Sequence, residues 1–263
     1  MKFLPAVSIA LVLGTLAKQT QSQVREDQSV LVNSILEHWL LQWQAPPQPV
    51  CSPEDPNWST CPCHGFAFGE MGHLDLVRKR PRHSDETFPL TPLFAYGEFP
   101  SLQRDGDAAA LQRWPVLNTD NYEDHSVAFA QQVRKRPPAE VIQLGDYDHD
   151  GNATEFLLLV ASGPCGHNGA ILVGISRNRP SIHAFSSIAH PERPLILDTH
   201  FWKELLPSQG RIESSQIRCG DHGAEEQTDV RLVVSARGID ATRLTYDCTP
   251  RGDRGSLRST EAF

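Results

Sequence analysis

The chain has 263 residues, of which 39% are hydrophobic and 21% charged, and its formal net charge is -8. That composition excludes global disorder. The acidic balance argues against a nucleic-acid partner, because such binding runs on clustered Lys and Arg. Two short basic runs, "VRKRPRH" from Val77 and "VRKRPP" from Val133, break at proline and are read as solvated loop or helix-end charge.

In chain order, Lys2 precedes an apolar run from Phe3 to Leu16, with small residues after it. This is the layout of a secretory signal peptide spanning residues 1–22, cleaved after Ala17 or Ser22. The run is shorter than the roughly 20 apolar residues a membrane span needs, and no later segment is more apolar. A secreted or periplasmic protein without a membrane span is therefore expected.

Residues 23–135 are read as a helix followed by a proline-rich irregular region. In "EDQSVLVNSILEHWLLQWQ", Val32, Ile35, Leu36, Trp39, Leu40 and Trp43 fall at helical spacing, so an amphipathic helix capped by Asp27 or Ser29 is predicted. "CSPEDPNWSTCPCHG" is read as a disulfide-stapled loop. Short helices are predicted at Asp107–Arg113 and Asp124–Val133.

Residues 136–248 read as an antiparallel β unit of about six strands. Its segments are "EVIQLGD" and "EFLLLVA" around an aspartate-rich loop, then "AILVGIS" and "SIHAFSS" joined by the turn "RNRP". "DTHFWKELLPSQG" gives a short helix, and "IESSQIRC", "TDVRLVVSA" and "TRLTYDC" give three more strands. Residues 249–263 are polar and are read as a flexible tail. The predicted fold class is thus mainly β with a few short helices.

All six cysteines lie after the leader, where disulfides persist. Three precede the aspartate loop and three follow it, so full pairing requires at least one bridge between the halves. A local Cys219–Cys248 bridge and a link from Cys165 to the N-terminal group are expected.

The loop itself is "DYDHDGNATE", residues 146–155. Asp146, Asp148 and Asp150 alternate, so a tightly curled loop can aim their carboxylates at one hard cation such as Ca2+. Gly151 permits the sharp turn that brings the Asn152 carbonyl toward the ion. Without a cation the three carboxylates would repel one another. An EF-hand is excluded, because its twelfth position would be Leu157 and both flanks read as strands. The strand–loop–strand setting of residues 141–160 resembles the calcium loops of FG-GAP repeats in integrin alpha-type β-propellers and related bacterial secreted proteins. That resemblance implies a calcium ion tying two strands together. The family pattern places an acid three residues after the glycine, where this chain has Thr154, with Glu155 one place later. The Thr154 hydroxyl, the Glu155 carboxylate and water are the alternatives for the last ligand.

The histidines beside cysteines, in "CPCHG", "CGH" and "CGDH", lack the paired Cys-x-x-Cys spacing of a zinc site. His167, His200, Asp221 and His222 are candidate general acids and bases, but no nucleophile motif accompanies them. The expected function is an exported, calcium-binding, disulfide-stabilised, non-catalytic binding or structural protein with a protein or glycan ligand. The alternative is a secreted hydrolase using His167, His200 and His222.

Overall fold

The computed structural model describes residues 21–52, 64–97, 108–117, 119–121, 124, 126–163 and 167–263. The expected leader cleavage region before residue 21, Cys61, Cys63, Cys165 and the start of the helix expected at Asp107 lie outside them.

The chain is mainly β, in antiparallel sheets, with two short α-helices among the described residues. Residues 23–43 are not a helix. They form a hairpin of β1 (Gln23–Val32) and β2 (Ile35–Trp43). Asn33 and Ser34 both take positive φ, 48° and 67°, the two-residue turn whose twist suits a hairpin. Val30, Val32, Trp39, Leu41 and Trp43 alternate inward, while Leu31, Ile35 and Leu36 stay exposed. The period is therefore two; of the residues that also fit a helical spacing, Ile35 and Leu36 face solvent, while Val32, Trp39, Leu40 and Trp43 are buried.

β2 pairs with β5 (Leu74–Lys79), which pairs with β6 (Glu86–Pro89), completing a four-stranded sheet. A smaller sheet joins β3 (Gln48–Val50), β4 (Gly69–Gly72) and β7 (Ala109–Gln112). β7 replaces the helix predicted at Asp107–Arg113. Ala109, Ala110 and Leu111 are all buried, and pairing with β4 overrides the helical preference of alanine. α1 (Val127–Val133) does form, capped by Ser126, whose Oγ accepts from Phe129 N at 3.1 Å.

β9 (Asn168–Ser176) is the central strand of the third sheet. β8 (Glu155–Ser162) lies on one side of it, with β10 (Arg179–Ala184) and β11 (Ile196–Asp198) in succession on the other. Its side chains serve two cores. Ile171, Val173 and Ile175 join Trp39, Leu41, Leu74, Phe94 and Phe156, so this core takes residues from both sides of position 135. Ala170 and Leu172 face the other way, toward Phe201 and Trp202 of α2 (Thr199–Leu205) and Val230 and Leu232 of the last sheet. A strand apolar on both faces belongs in such a sandwiched position.

The last sheet is a meander of β12 (Arg211–Ile217), β13 (Glu226–Ser235), β14 (Gly238–Cys248) and β15 (Arg254–Ala262). β15 corrects the flexible tail. It is an edge strand whose polar residues pair across the sheet, with Arg254 on Asp229 at 2.8 Å and Arg258 on Glu226. The Cys219–Cys248 disulfide is present, joining the end of β14 to the loop after β12. Cys51 is also disulfide-bonded.

Candidate metal centre

The aspartate loop is closed at its base by a two-way backbone pair. Gly145 N donates to Glu155 O at 2.8 Å, and Glu155 N to Gly145 O at 3.2 Å. "EVIQLGD" makes only this isolated bridge and is not a regular strand, which corrects the expectation for the segment. Its entry is instead fixed by β1. Glu26 accepts from Val141 N at 2.8 Å and Ile142 N at 3.0 Å, and Arg25 donates to Ala139 O at 2.8 Å. On the exit side, Gly174 of β9 lets the chain pass close. A Cβ there would overlap Thr154 O and lie 2.8 Å from Glu155 Cα.

Within the loop Gly151 has φ 95°, the left-handed conformation anticipated for it, and donates its N–H to Asp146 Oδ2 at 3.1 Å. His149 also has positive φ, and its Nε2 lies 3.2 Å from Leu205 O, tying the loop to the end of α2.

Three carboxylates converge, but they are not the three aspartates. Asp146, Asp148 and Glu155 each bring an oxygen within 4.8 Å of the others. Glu155 is fully buried. Its Oε2 accepts from Tyr147 N at 2.9 Å, and its Oε1 accepts from the Thr154 hydroxyl at 2.6 Å. Thr154 therefore steadies Glu155, and that hydroxyl also lies 3.2 Å from Ile175 O. Asp150 turns aside. Its Oδ1 accepts from Asn152 N and Nδ2 at 2.9 and 2.8 Å, and its Oδ2 accepts from Arg177 N at 2.7 Å. Asn152 serves as a partner of Asp150 through these groups.

No lysine or arginine pairs with Asp146, Asp148 or Glu155 among the described residues. Burial, with repulsion from Asp148, pushes the Glu155 carboxyl up to about 8. Burial, followed by repulsion from Asp150 and Asp146, pushes Asp148 up to about 6. Such a group of carboxylates must either hold protons or meet a cation. One side of Asp146 is ready for a partner, since its Oδ1 is buried with no hydrogen bond. Oxygen-only donors of this kind suit a hard divalent ion. Arg177 and Gly174 are parts of the site that sequence reasoning does not supply. The "RNRP" turn reads only as a connection, and nothing local to it names Asp150 as its partner.

The candidate histidines divide. Asp198, the N-cap of α2, lies 3.0 Å from His167 Nδ1 through Oδ2 and 2.9 Å from His200 Nδ1 through Oδ1. His222 is highly exposed and, among the described residues, reaches its neighbour Asp221 at 3.6 Å. His167, Asp198, Asp221 and His222 line one cleft of about 610 Å³ between the third and last sheets, and His200 is not among its lining residues. No helix among the described residues is long and apolar enough to cross a membrane. No protein-family model, no curated protein and no solved structure matches the chain.

Proposed function

We propose that this is an exported, calcium-binding, disulfide-stabilised protein whose task is binding or structural rather than catalytic, with a protein or glycan ligand. The observation that carries the calcium reading is Glu155. Its buried carboxylate sits beside Asp146 and Asp148, and no lysine or arginine among the described residues pairs with any of the three. A calcium ion there would take one oxygen from each acid and complete its shell with backbone carbonyls and water. It would tie the loop to the first residue of β8, the role that the FG-GAP-like arrangement implies. Asp146, Asp148 and Glu155 are the proposed ligands, while Asp150, Asn152 and Thr154 hold the loop's shape.

The test is a thermal melt of the disulfide-intact protein in EDTA and in millimolar calcium. At a hundredfold excess over Kd, linkage gives about 2.7 kcal/mol, or roughly 5–10 °C in Tm for a chain of this size. Asp148→Ala should abolish that rise. Magnesium should do much less, because it surrenders its waters reluctantly. An equal rise in Asp148→Ala would remove the ion from this loop.

A second reading, the secreted hydrolase, is favoured by Asp198. Its Oδ2 accepts Nδ1–H of His167, and its Oδ1 lies 2.9 Å from His200 Nδ1, which leaves each Nε2 to exchange protons with a substrate. Turnover of chromogenic esters that collapses in Asp198→Asn would favour this reading. Absence of turnover across ester and phosphoester substrates would leave binding as the function.

A further inference from the structure

A second cleft, of about 560 Å³, opens directly beside the loop, and Asp148 and Asp150 form part of its wall. Residues of the segment 183–191, with Gln209 and Gly210, contribute to the wall as well, and its basic part comes from two turns that meet face to face. One is the β9–β10 turn, with Arg177, Asn178 and Arg179, and the other is the β13–β14 turn, with Arg237. The turns are fixed to each other by Asn178 Nδ2, which donates to Ala236 O at 2.7 Å. Arg177 is fixed to the loop through Asp150. The guanidinium groups of Arg179 and Arg237 have no hydrogen bond or ion pair among the described residues.

We propose that this cleft binds an acidic saccharide, one bearing sulfate, phosphate or uronate, and that the cation of the neighbouring loop strengthens the binding. The second half of the proposal rests on the calcium reading. Three arginines and two aspartates line the cleft, and Arg177 is already bonded to Asp150, so Arg179 and Arg237 are the arginines left to meet an anion. A divalent cation on Asp148 would cancel the acidic side and leave the arginine forks as the dominant field. Guanidinium groups match the planar, two-oxygen edge of sulfate, phosphate and carboxylate. The amide and hydroxyl groups of Asn178, Ser186 and Gln209 on the same wall suit sugar hydroxyls. The cleft has the volume of a small-ligand site, which favours a mono- or disaccharide over an extended acidic peptide.

The experiment is isothermal titration calorimetry of the disulfide-intact protein with a sulfated heparin disaccharide, in millimolar calcium and in EDTA. A glucuronate disaccharide, a neutral disaccharide and a penta-glutamate peptide serve as comparison probes, and a calcium melt is run on every variant. The sulfated or the glucuronate disaccharide should bind in calcium and more weakly in EDTA, and the neutral one should not bind. The ranking of the two acidic disaccharides identifies the anion. Losing charge-assisted hydrogen bonds in R179Q/R237Q should cost about tenfold or more in Kd, while the calcium-induced melt shift stays unchanged. The proposal is overturned if R179Q/R237Q binds as the parent does, if neither acidic disaccharide binds, or if penta-glutamate binds more tightly than both. A calcium melt shift without disaccharide binding sinks the cleft and spares the calcium reading. Disaccharide binding that depends on Arg179 and Arg237 but ignores calcium, with no melt shift, sinks the calcium reading and keeps the cleft.

Discussion

In EDTA the protein should lose stability as pH rises from about 4.5 to about 8, the interval between the ordinary glutamate value and that of buried Glu155. Below this window the carboxyl is protonated whether the chain is folded or not, and pH has no grip on it. Within the window the unfolded chain releases the proton while the folded chain keeps it, so each rise in pH favours unfolding. Asp148 adds the same sign between its ordinary 3.8 and about 6. Crossing each pH unit of the window removes about 1.4 kcal/mol, so Glu155 alone accounts for several kcal/mol by pH 9. Saturating calcium should flatten or invert the slope, because the ion binds the deprotonated site and drives the protons off. Glu155→Gln separates the two effects. Its amide oxygen can accept from Tyr147 N, and its NH2 can donate to Thr154 Oγ1 once that hydroxyl turns to Ile175 O, so the local hydrogen bonds survive. The variant should therefore be more stable than the parent in EDTA at pH 8–9 and should show no calcium response. Urea denaturation at several pH values, with and without calcium, reads both. A parent slope that Glu155→Gln leaves untouched would show that Glu155 is not the titrating group.

How much of this is legible in the sequence depends on how far apart the cooperating residues lie. The alternation of Asp146, Asp148 and Asp150 before Gly151 is local, and it points to the loop where the carboxylates converge. Glu155 stands among the alternatives for the last ligand, because a residue at the start of a strand can point back into its own loop. What could not be read is that Asp150 leaves the cluster. Its carboxylate is claimed by the backbone N–H of Arg177, which the β9–β10 hairpin delivers from 27 positions away. The N-terminal hairpin misleads for a different reason. Val32, Ile35, Leu36, Trp39, Leu40 and Trp43 satisfy a helical period, while Trp39, Leu41 and Trp43 with Val30 and Val32 satisfy a strand period. The deciding signal is Asn33–Ser34, a pair able to take positive φ, sitting between two apolar runs. The polar tail misleads because an edge strand needs only one paired side and no buried face.

The basic run from Val77 shows the same limit and leads to the second large effect. Arg78, read as solvated charge, is buried in β5 beside an equally buried Glu37 of β2, each side chain about 4% exposed. Arg78 Nε and one terminal nitrogen donate to the two Glu37 oxygens at 2.6 and 3.0 Å, and the other nitrogen reaches Pro180 O at 2.5 Å and Glu86 at 3.3 Å. Glu86 in turn accepts from Ile182 N at 2.7 Å. The network therefore joins the first sheet to β10 of the third. Removing Glu37 leaves the buried Arg78 charge with only the longer carboxylate contact to Glu86, so Glu37→Ala should cost about 3–5 kcal/mol. Replacing both, as in Glu37→Leu with Arg78→Met, should recover much of that loss, because an apolar pair of similar volume needs no desolvated charge to be balanced. Urea midpoints for the single and double variants give the coupling between the two positions. Strong coupling, with the double variant more stable than Glu37→Ala, is the expected result. The calcium-induced shift should persist in the double variant, because neither residue touches the loop. If Glu37→Ala costs less than about 1 kcal/mol, as an exposed pair would, the hairpin does not bury this pair against β5 and β10, and the docking of the first sheet on the third loses its main polar contact.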